Sequence, residues 1–368
     1  MEFLCQRNDL ARGIGIVERA VSTRDNMPIL EGILVRAEGD RLQLVATDLE
    51  MSIECYVPAR IKKSGAAVLS GRVLGQIVRK LAGDEVVYST EEGRTVRIES
   101  GRSRFTVHTM DADDFPTLPE VDDEPMWRLS QAVLRRMIRH TTFAAASDDS
   151  RPFLTGVFVE VEGDEIRFVA TDSSRLSYYH GKLKEPAAQR RTGIVPVRSL
   201  AELLRILDSD EESEVEFLVS ANQAVFCLAG VRMISRVIEG QFPDYRRVFP
   251  TEQPCRFRVP RQELLDAVER VSLIARRNAP IVRLKVTEGT LSLVVNEAEV
   301  GEAFEEIPVD QQGSDRETAY QARYLLDVLR AMDTEEVEVG LGEGLKQGSL
   351  RGVDEDAFTY IVMPVRVG

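Results

Sequence analysis

The stretch PILEGILVRAEGDRLQLVATD (residues 28–48) decides the fold, because the chain contains it twice. At residues 152–172 the sequence reads PFLTGVFVEVEGDEIRFVATD. Pro28, Leu30, Gly32 and Val35 recur as Pro152, Leu154, Gly156 and Val159, each shifted by 124 residues. Glu38-Gly39-Asp40 recurs as Glu162-Gly163-Asp164, and Val45-Ala46-Thr47-Asp48 as Val169-Ala170-Thr171-Asp172. Alternating apolar residues lead into the acidic turn and β-branched residues lead out, so both copies read as strand, turn, strand. A fainter third copy, PIVRLKVTEGTLSLVVNE (280–297), turns at Glu288-Gly289 and places Leu291 and Leu293 where Leu42 and Leu44 stand. Self-similarity at a fixed period defines a repeat architecture. The chain of 368 residues accordingly divides into three domains, 1–120, 126–250 and 251–368.

Outward from the hairpins, each repeat reads as two helices and about eight mostly antiparallel strands, an α+β pattern. The first helices are expected at 9–21, 130–145 and 261–277, the second at 72–81, 198–207 and 321–332. Val73, Leu74, Ile77, Val78 and Leu81 should point inward from the 72–81 helix. Segments 111–124 and 239–254, rich in Pro and charge, read as linkers. No apolar run approaches the roughly 18 residues of a membrane span. MEFLCQRNDL at the start has no secretory pattern, and Cys5, Cys55, Cys227 and Cys255 stand apart with no CxxC, so a cytoplasmic location is expected.

A net charge of −14 argues at first against nucleic acid. Its distribution argues otherwise. Arg72/Arg79, Arg198/Arg205 and Arg323/Arg330 occupy the same two positions of the second helix in all three repeats. Seven residues is nearly two turns, so each pair forms one stripe, opposite the apolar face. The six predicted helices together carry +9, which leaves −23 for the rest of the chain. Arg135, Arg136 and Arg139 add to this basic layer. Arginines opposite a core face are ordinarily only solvated, but the threefold recurrence favours contact with phosphates without base readout.

Catalytic constellations are missing from the sequence. His108, His140 and His180 have no Cys or His neighbour at metal-ligand spacing, and neither GxSxG nor GxxxxGK[ST] occurs. Gly340, Gly342 and Gly344 lie at a strand–turn, which reads as a hairpin and not as a phosphate cradle. The acidic clusters Asp111/Asp113/Asp114, Asp148/Asp149 and Asp208/Asp210–Glu212 fall in expected loops and read as solvated turns. No cofactor or metal is expected.

The chain resembles the bacterial DNA polymerase III beta subunits, the replicative sliding clamps, along its full length. The resemblance is carried by NMPIL (26–30), ATDLEMS (46–52), SGRSRF (100–105), VATDSSRL (169–176), FPDYRRVFP (242–250) and YIVMPVRV (360–367). It implies three repeated clamp domains closed head to tail into a dimeric ring, a homodimer with twelve helices around duplex DNA. Twelve helices about 9 Å apart give a bore of roughly 25 Å, wide enough for a duplex. It further implies a non-catalytic processivity subunit that binds the polymerase III alpha subunit, the clamp loader and other proteins bearing a short clamp-binding motif.

Carried over residue by residue, the family's peptide pocket falls on Leu154, Thr171, Ser173, Ser174, Arg175, Leu176, Pro243, Arg247, Val248, Ile361, Met363, Pro364, Val365 and Arg366. Ser173-Ser174 stands where the family commonly has Gly-His. DNA contact falls on Arg24, Phe153 and Arg198, beside the arginine stripes and Arg136, with Pro152 in place of a frequent aromatic. The ring interface would pair Phe105 and Val107 with Leu273 and Ile274. Two other classes compete: a repeat-built interaction scaffold without DNA, and a Mg²⁺-dependent phosphodiesterase using Asp113 and Asp114.

Overall fold

Strands pair antiparallel throughout the described residues, which in this computed structural model are all except 23–26, 92–93, 122–125, 149, 275–279, 298–299 and 367–368. Among the described residues six α-helices form: α1 Arg7–Val17, α2 Gly71–Lys80, α3 Gln131–Thr141, α4 Val197–Leu204, α5 Arg261–Ser272 and α6 Ala322–Ala331. The chain divides into two compact units, Met1–Gln131 with Arg205–Val237, and Ala132–Leu204 with Ile238–Gly368.

This division cuts through the second repeat because sheets are shared between neighbouring repeats. In the first unit, strand Val231–Arg236 pairs with Met51–Pro58, aligning Val231 with Cys55, and so completes an eight-stranded sheet. In the second unit, strand Arg175–Pro196 pairs with Phe358–Val362 inside a seven-stranded sheet. A five-stranded sheet in the first unit ends on the edge strand Ser103–His108, and a four-stranded sheet in the second ends on Gly301–Pro308.

The repeated hairpin forms as its pattern requires. Strands Gly32–Glu38 and Arg41–Thr47 pair across a turn at Gly39, whose φ of +64° is left-handed and suits a residue without a Cβ. Gly163 repeats that conformation at φ +61°, within a strand assigned unbroken from Gly156 to Thr171 whose two halves both pair with Arg175–Pro196. In the third copy, Glu288 and Gly289 are left-handed between the paired strands Ile281–Thr287 and Thr290–Glu297.

Each helix lays one stripe on a sheet. On α1, Leu10, Gly13, Ile14 and Val17 are buried, and Gly13 is needed for close approach, since a Cβ there would stand 2.5 Å from Val57 Cγ2. On α2 the buried stripe is Gly71, Leu74, Gly75 and Val78, and Val73 is 39% exposed. The expectation that Val73 points inward is therefore corrected. Two of the stripe's positions are glycines, which carry no hydropathic signal, so the pattern reads one residue out of phase.

Helix ends also depart from expectation: α1 and α3 pass into the 3₁₀ turns Glu18–Ala20 and Thr142–Ala144 short of their expected ends, and arginines bond the ends of the second helices. Carbonyls of the last turn need donors. Arg7 Nη1 donates to Leu81 O at 3.1 Å, Arg135 Nη1 to Leu204 O at 3.1 Å and Arg261 Nη1 to Leu329 O at 3.0 Å. Arg135 thus closes α4 at Leu204, leaving Arg205 just past the helix and not on it. Arg135 serves helix capping and does not belong to a free basic stripe.

Candidate functional site

The Ala-Thr-Asp of the repeated hairpin closes a loop in both copies. Thr47 Oγ1 accepts from Leu49 N at 3.1 Å, and Asp48 Oδ1 from Glu50 N and Met51 N at 3.1 and 2.7 Å. Thr171 Oγ1 accepts from Ser173 N at 3.0 Å, and Asp172 Oδ1 from Ser174 N and Arg175 N at 2.9 and 3.0 Å. Leu49 and Ser173 are left-handed in consequence. The copies part at the next residue. Where the first has Met51, the second has Arg175, whose Nε donates to the second oxygen of Asp172 at 3.0 Å.

Arg175 is 4% exposed. Its Nη1 meets Asp327 Oδ2 at 2.7 Å, its Nη2 meets Phe143 O at 2.6 Å, and its guanidinium lies 4.5 Å from the Tyr324 ring centre. Burial acts to lower its pKa, but Tyr360, Asp327 and Asp172 raise it on balance, so the guanidinium stays charged. Strand Arg175–Pro196 aligns Leu176 with Ile361, and Met363 N donates to Ser174 O at 2.8 Å.

Around this junction a cleft of about 510 Å³, partly open to solvent, is lined by Thr171, Ser173, Arg175, Leu176, Phe242, Pro243, Tyr245, Val248, Ile361 and Met363. Its walls are mostly apolar, with Arg175 the one charged lining group among the described residues. That composition suits an aliphatic or aromatic anchor oriented by a few polar contacts. Gln347 Nε2 holds Val248 O at 2.9 Å, and Arg151 Nη1 donates to Ser173 Oγ at 2.8 Å on the rim.

Of the residues expected here, the remaining six do not line the cleft. Leu154 lies behind it in the buried cluster with Val169, Leu176, Phe242, Tyr245 and Ile361. Ser174 contributes backbone bonds, Arg247 is exposed and paired with Asp244 at 2.8 Å, and Val365 N bonds to Ala319 O. Pro364 is partly buried and Arg366 is exposed. Phe242 and Tyr245 were missed, although the sequence carries a signal for them. Phe242, Tyr245 and Val248 recur every third residue, and Tyr245–Val248 is a 3₁₀ turn with three residues per turn.

Behind the Tyr245 wall lies Glu160, a carboxylate with no exposed surface. Tyr245 Oη donates to it at 2.7 Å, as do Arg246 Nη2 at 2.7 Å, Arg190 Nε at 2.9 Å and Arg167 Nη1 at 3.1 Å. Burial opposes ionisation, yet these donors together bring the carboxyl down to about 2.

Arg72, Arg79, Arg198, Arg205, Arg323 and Arg330 are all exposed, as their spacing requires. Several have acidic neighbours of their own. Arg79 Nη1 reaches both Glu18 oxygens at 2.8 and 3.0 Å, and Arg330 Nη2 reaches Glu269 at 2.7 Å, across the same 61-residue separation. Arg139 pairs with Asp333 at 3.3 Å. Arg136 is half-buried and bonded to Tyr179. Phe153 packs against the Leu154 cluster, and Arg24 lies outside the described residues.

On the two edge strands, Phe105 is exposed and Val107 partly so, and Phe304 is 58% exposed. Leu273, just past α5, is the most exposed large apolar residue described, and Ile274 beside it is half-buried. Phe304 was not expected.

Among the described residues no three His, Cys, Asp or Glu side chains gather as a metal site. Asp111 caps the 3₁₀ turn Ala112–Asp114, accepting from Asp113 N at 3.2 Å, which is a turn role. No described helix is long and apolar enough to cross a membrane.

Three family models match in succession: the DNA polymerase III beta subunit N-terminal domain at residues 1–119, its central domain at 128–244 and its C-terminal domain at 246–366. The beta sliding clamps of Staphylococcus aureus and Staphylococcus epidermidis are each 32% identical over 376 residues, covering 100% of this chain and 99% of theirs. Among solved structures, the DNA polymerase sliding clamp of Bacillus subtilis superposes with a TM-score of 0.96 at 29% identity, covering 100% of both chains. The DNA polymerase III subunit beta of Pseudomonas aeruginosa does so at 0.95 and 32%, again over 100% of both. A sliding clamp from the same organism bound to griselimycin matches equally, at 0.95 and 32%.

Proposed function

Since the chain belongs to the DNA polymerase III beta subunit family and is a sliding clamp, a non-catalytic processivity subunit, we propose that its apolar cleft captures short peptide motifs of the proteins it tethers to DNA. The observation that carries this reading is the junction of Arg175–Leu176 with Ile361–Met363, where a buried cation sits at the foot of a mostly apolar wall. Thr171, Ser173, Arg175, Leu176, Pro243, Val248, Ile361 and Met363 line the site, joined by Phe242 and Tyr245. Leu154 supports it from behind, and Ser174, Arg247, Pro364, Val365 and Arg366 form its rim. Its occupants are the motif peptides of the polymerase III alpha subunit, the clamp loader and other motif-bearing proteins. The griselimycin-bound relative is consistent with a ligand site on this fold.

The ring is a head-to-tail homodimer of domains 1–120, 126–250 and 251–368. Two unlike edges support it. Ser103–His108 presents Phe105 and Val107 with Arg104, itself paired with Glu99, while Gly301–Pro308 presents Phe304 with Glu302, Glu306 and Glu305, the last paired with Arg270. Unlike, complementary edges pair heterologously and close a ring when the rotation allows. Leu273 and Ile274 complete the acidic side. Duplex DNA is held without sequence preference by Arg24, Arg72, Arg79, Arg136, Arg198, Arg205, Arg323 and Arg330, with Phe153 nearby, and the protein works in the cytoplasm.

A labelled clamp-binding peptide tests the cleft. The full chain should bind it, and deletion of residues 363–368 should abolish binding; equal binding by both would refute the site.

A further inference from the structure

One atom ties the cleft to the face of α6 that carries the proposed DNA contacts. Arg175 donates Nη1 to Asp327 Oδ2 at 2.7 Å from inside the cleft wall. Arg323, one helical turn before Asp327, brings its Nε to 3.6 Å from the same Oδ2 and is 64% exposed. A single carboxylate oxygen is thus divided between a buried guanidinium and a solvated one.

We propose that Asp327 is a positioning residue that couples peptide capture in the cleft to contact with duplex DNA. The inference rests on the reading of the cleft as a peptide site and of Arg323 as a phosphate contact. The two arms are unequal. The 2.7 Å bond is short and charge-assisted, whereas the 3.6 Å approach lies beyond hydrogen-bond distance and is screened by water. A phosphate therefore draws Arg323 away at small cost and leaves the whole charge of Asp327 to Arg175. Arg175 cannot follow, because Asp172, Phe143 O and the Tyr324 ring hold it from three other sides. The cleft wall becomes better fixed for the peptide, and by reciprocity an occupied cleft favours DNA by the same factor. An exposed ion pair of this kind is worth about two- to fivefold in affinity.

Fluorescence polarisation with a labelled clamp-binding peptide and the full chain tests the coupling, with and without a duplex oligonucleotide at low salt. Arg323→Ala should bind the peptide about two- to fivefold more tightly than wild type without DNA. Duplex should raise the wild-type affinity by the same factor and leave Arg323→Ala unchanged. Asp327→Asn should weaken binding and lose the DNA response, and Asp327→Glu should restore that response. Arg323 is exposed, so its truncation leaves the fold intact even where the Asp327 variants fail. Equal peptide affinity of wild type and Arg323→Ala overturns the coupling while leaving the peptide site standing. A wild-type chain that binds no peptide overturns the cleft reading itself, and the coupling with it.

Discussion

At the scale of single residues, Glu160 shows how a charged group comes to brace an apolar site. It is fully enclosed and takes bonds from Tyr245, Arg246, Arg190 and Arg167. Holding its carboxyl at about 2 instead of 4.5 contributes about 2–3 kcal/mol at neutral pH, allowing for screening around half-exposed Arg190 and Arg246. Because the folded pKa is depressed, that stability is complete above about pH 4.5 and fades as pH falls toward 2. Glu160→Gln should therefore cost about 2–3 kcal/mol at pH 7 and under about 1 kcal/mol at pH 2.5, measured by denaturant unfolding. A cost independent of pH would show that the charge is not what holds the cluster. The sequence gives no hint of this residue. In VFVEVEG, Glu160 alternates with Val159 and Val161 and so reads as solvent-facing, but Tyr245, 85 residues further on, covers that face. Arg175, by contrast, enters only through resemblance, since no local pattern marks a buried arginine.

Among the elements, the hairpin template is the part most legible from sequence, because its glycine and its Thr-Asp pair each do a local job. Gly39 and Gly163 are left-handed with open space around them, so substitution meets strain and no clash. Alanine at either should lower stability by about 1–2 kcal/mol, read as a fall in Tm with unchanged peptide binding. Gly13 makes the opposite argument. In a helix, Gly→Ala usually stabilises by about 1 kcal/mol, but here the new methyl would stand 2.5 Å from Val57 Cγ2. Gly13→Ala should destabilise instead, by about 1–3 kcal/mol in the same measurement. Helix ends were not legible, because α1 and α3 pass into 3₁₀ turns and the ends of α2, α4 and α6 are bonded by Arg7, Arg135 and Arg261, about 70 residues away in sequence. The phase of α2 was hidden by the two glycines in its buried stripe.

For the whole molecule, the sequence showed three repeats and a basic set of helices within an acidic chain, but not that sheets run from one repeat into the next. Strand pairs such as Val231 with Cys55 join residues about 180 positions apart, beyond any periodicity. The exposed arginines are also less free than a charge count suggests, since Glu18 and Glu269 accompany Arg79 and Arg330. Ring closure through the two unlike edges predicts that Phe304→Glu, at an exposed site, yields a folded monomer by sedimentation, whereas a variant that stays dimeric would place the interface elsewhere. Encirclement differs from ordinary binding in that it depends on topology and not on grip, so weak, salt-screened contacts suffice. The direct measurement is retention of the labelled chain on a nicked circular plasmid at high salt, before and after one cut that linearises it. Encirclement keeps the protein on the circle and lets it run off the cut molecule. Equal loss from both would contradict encirclement.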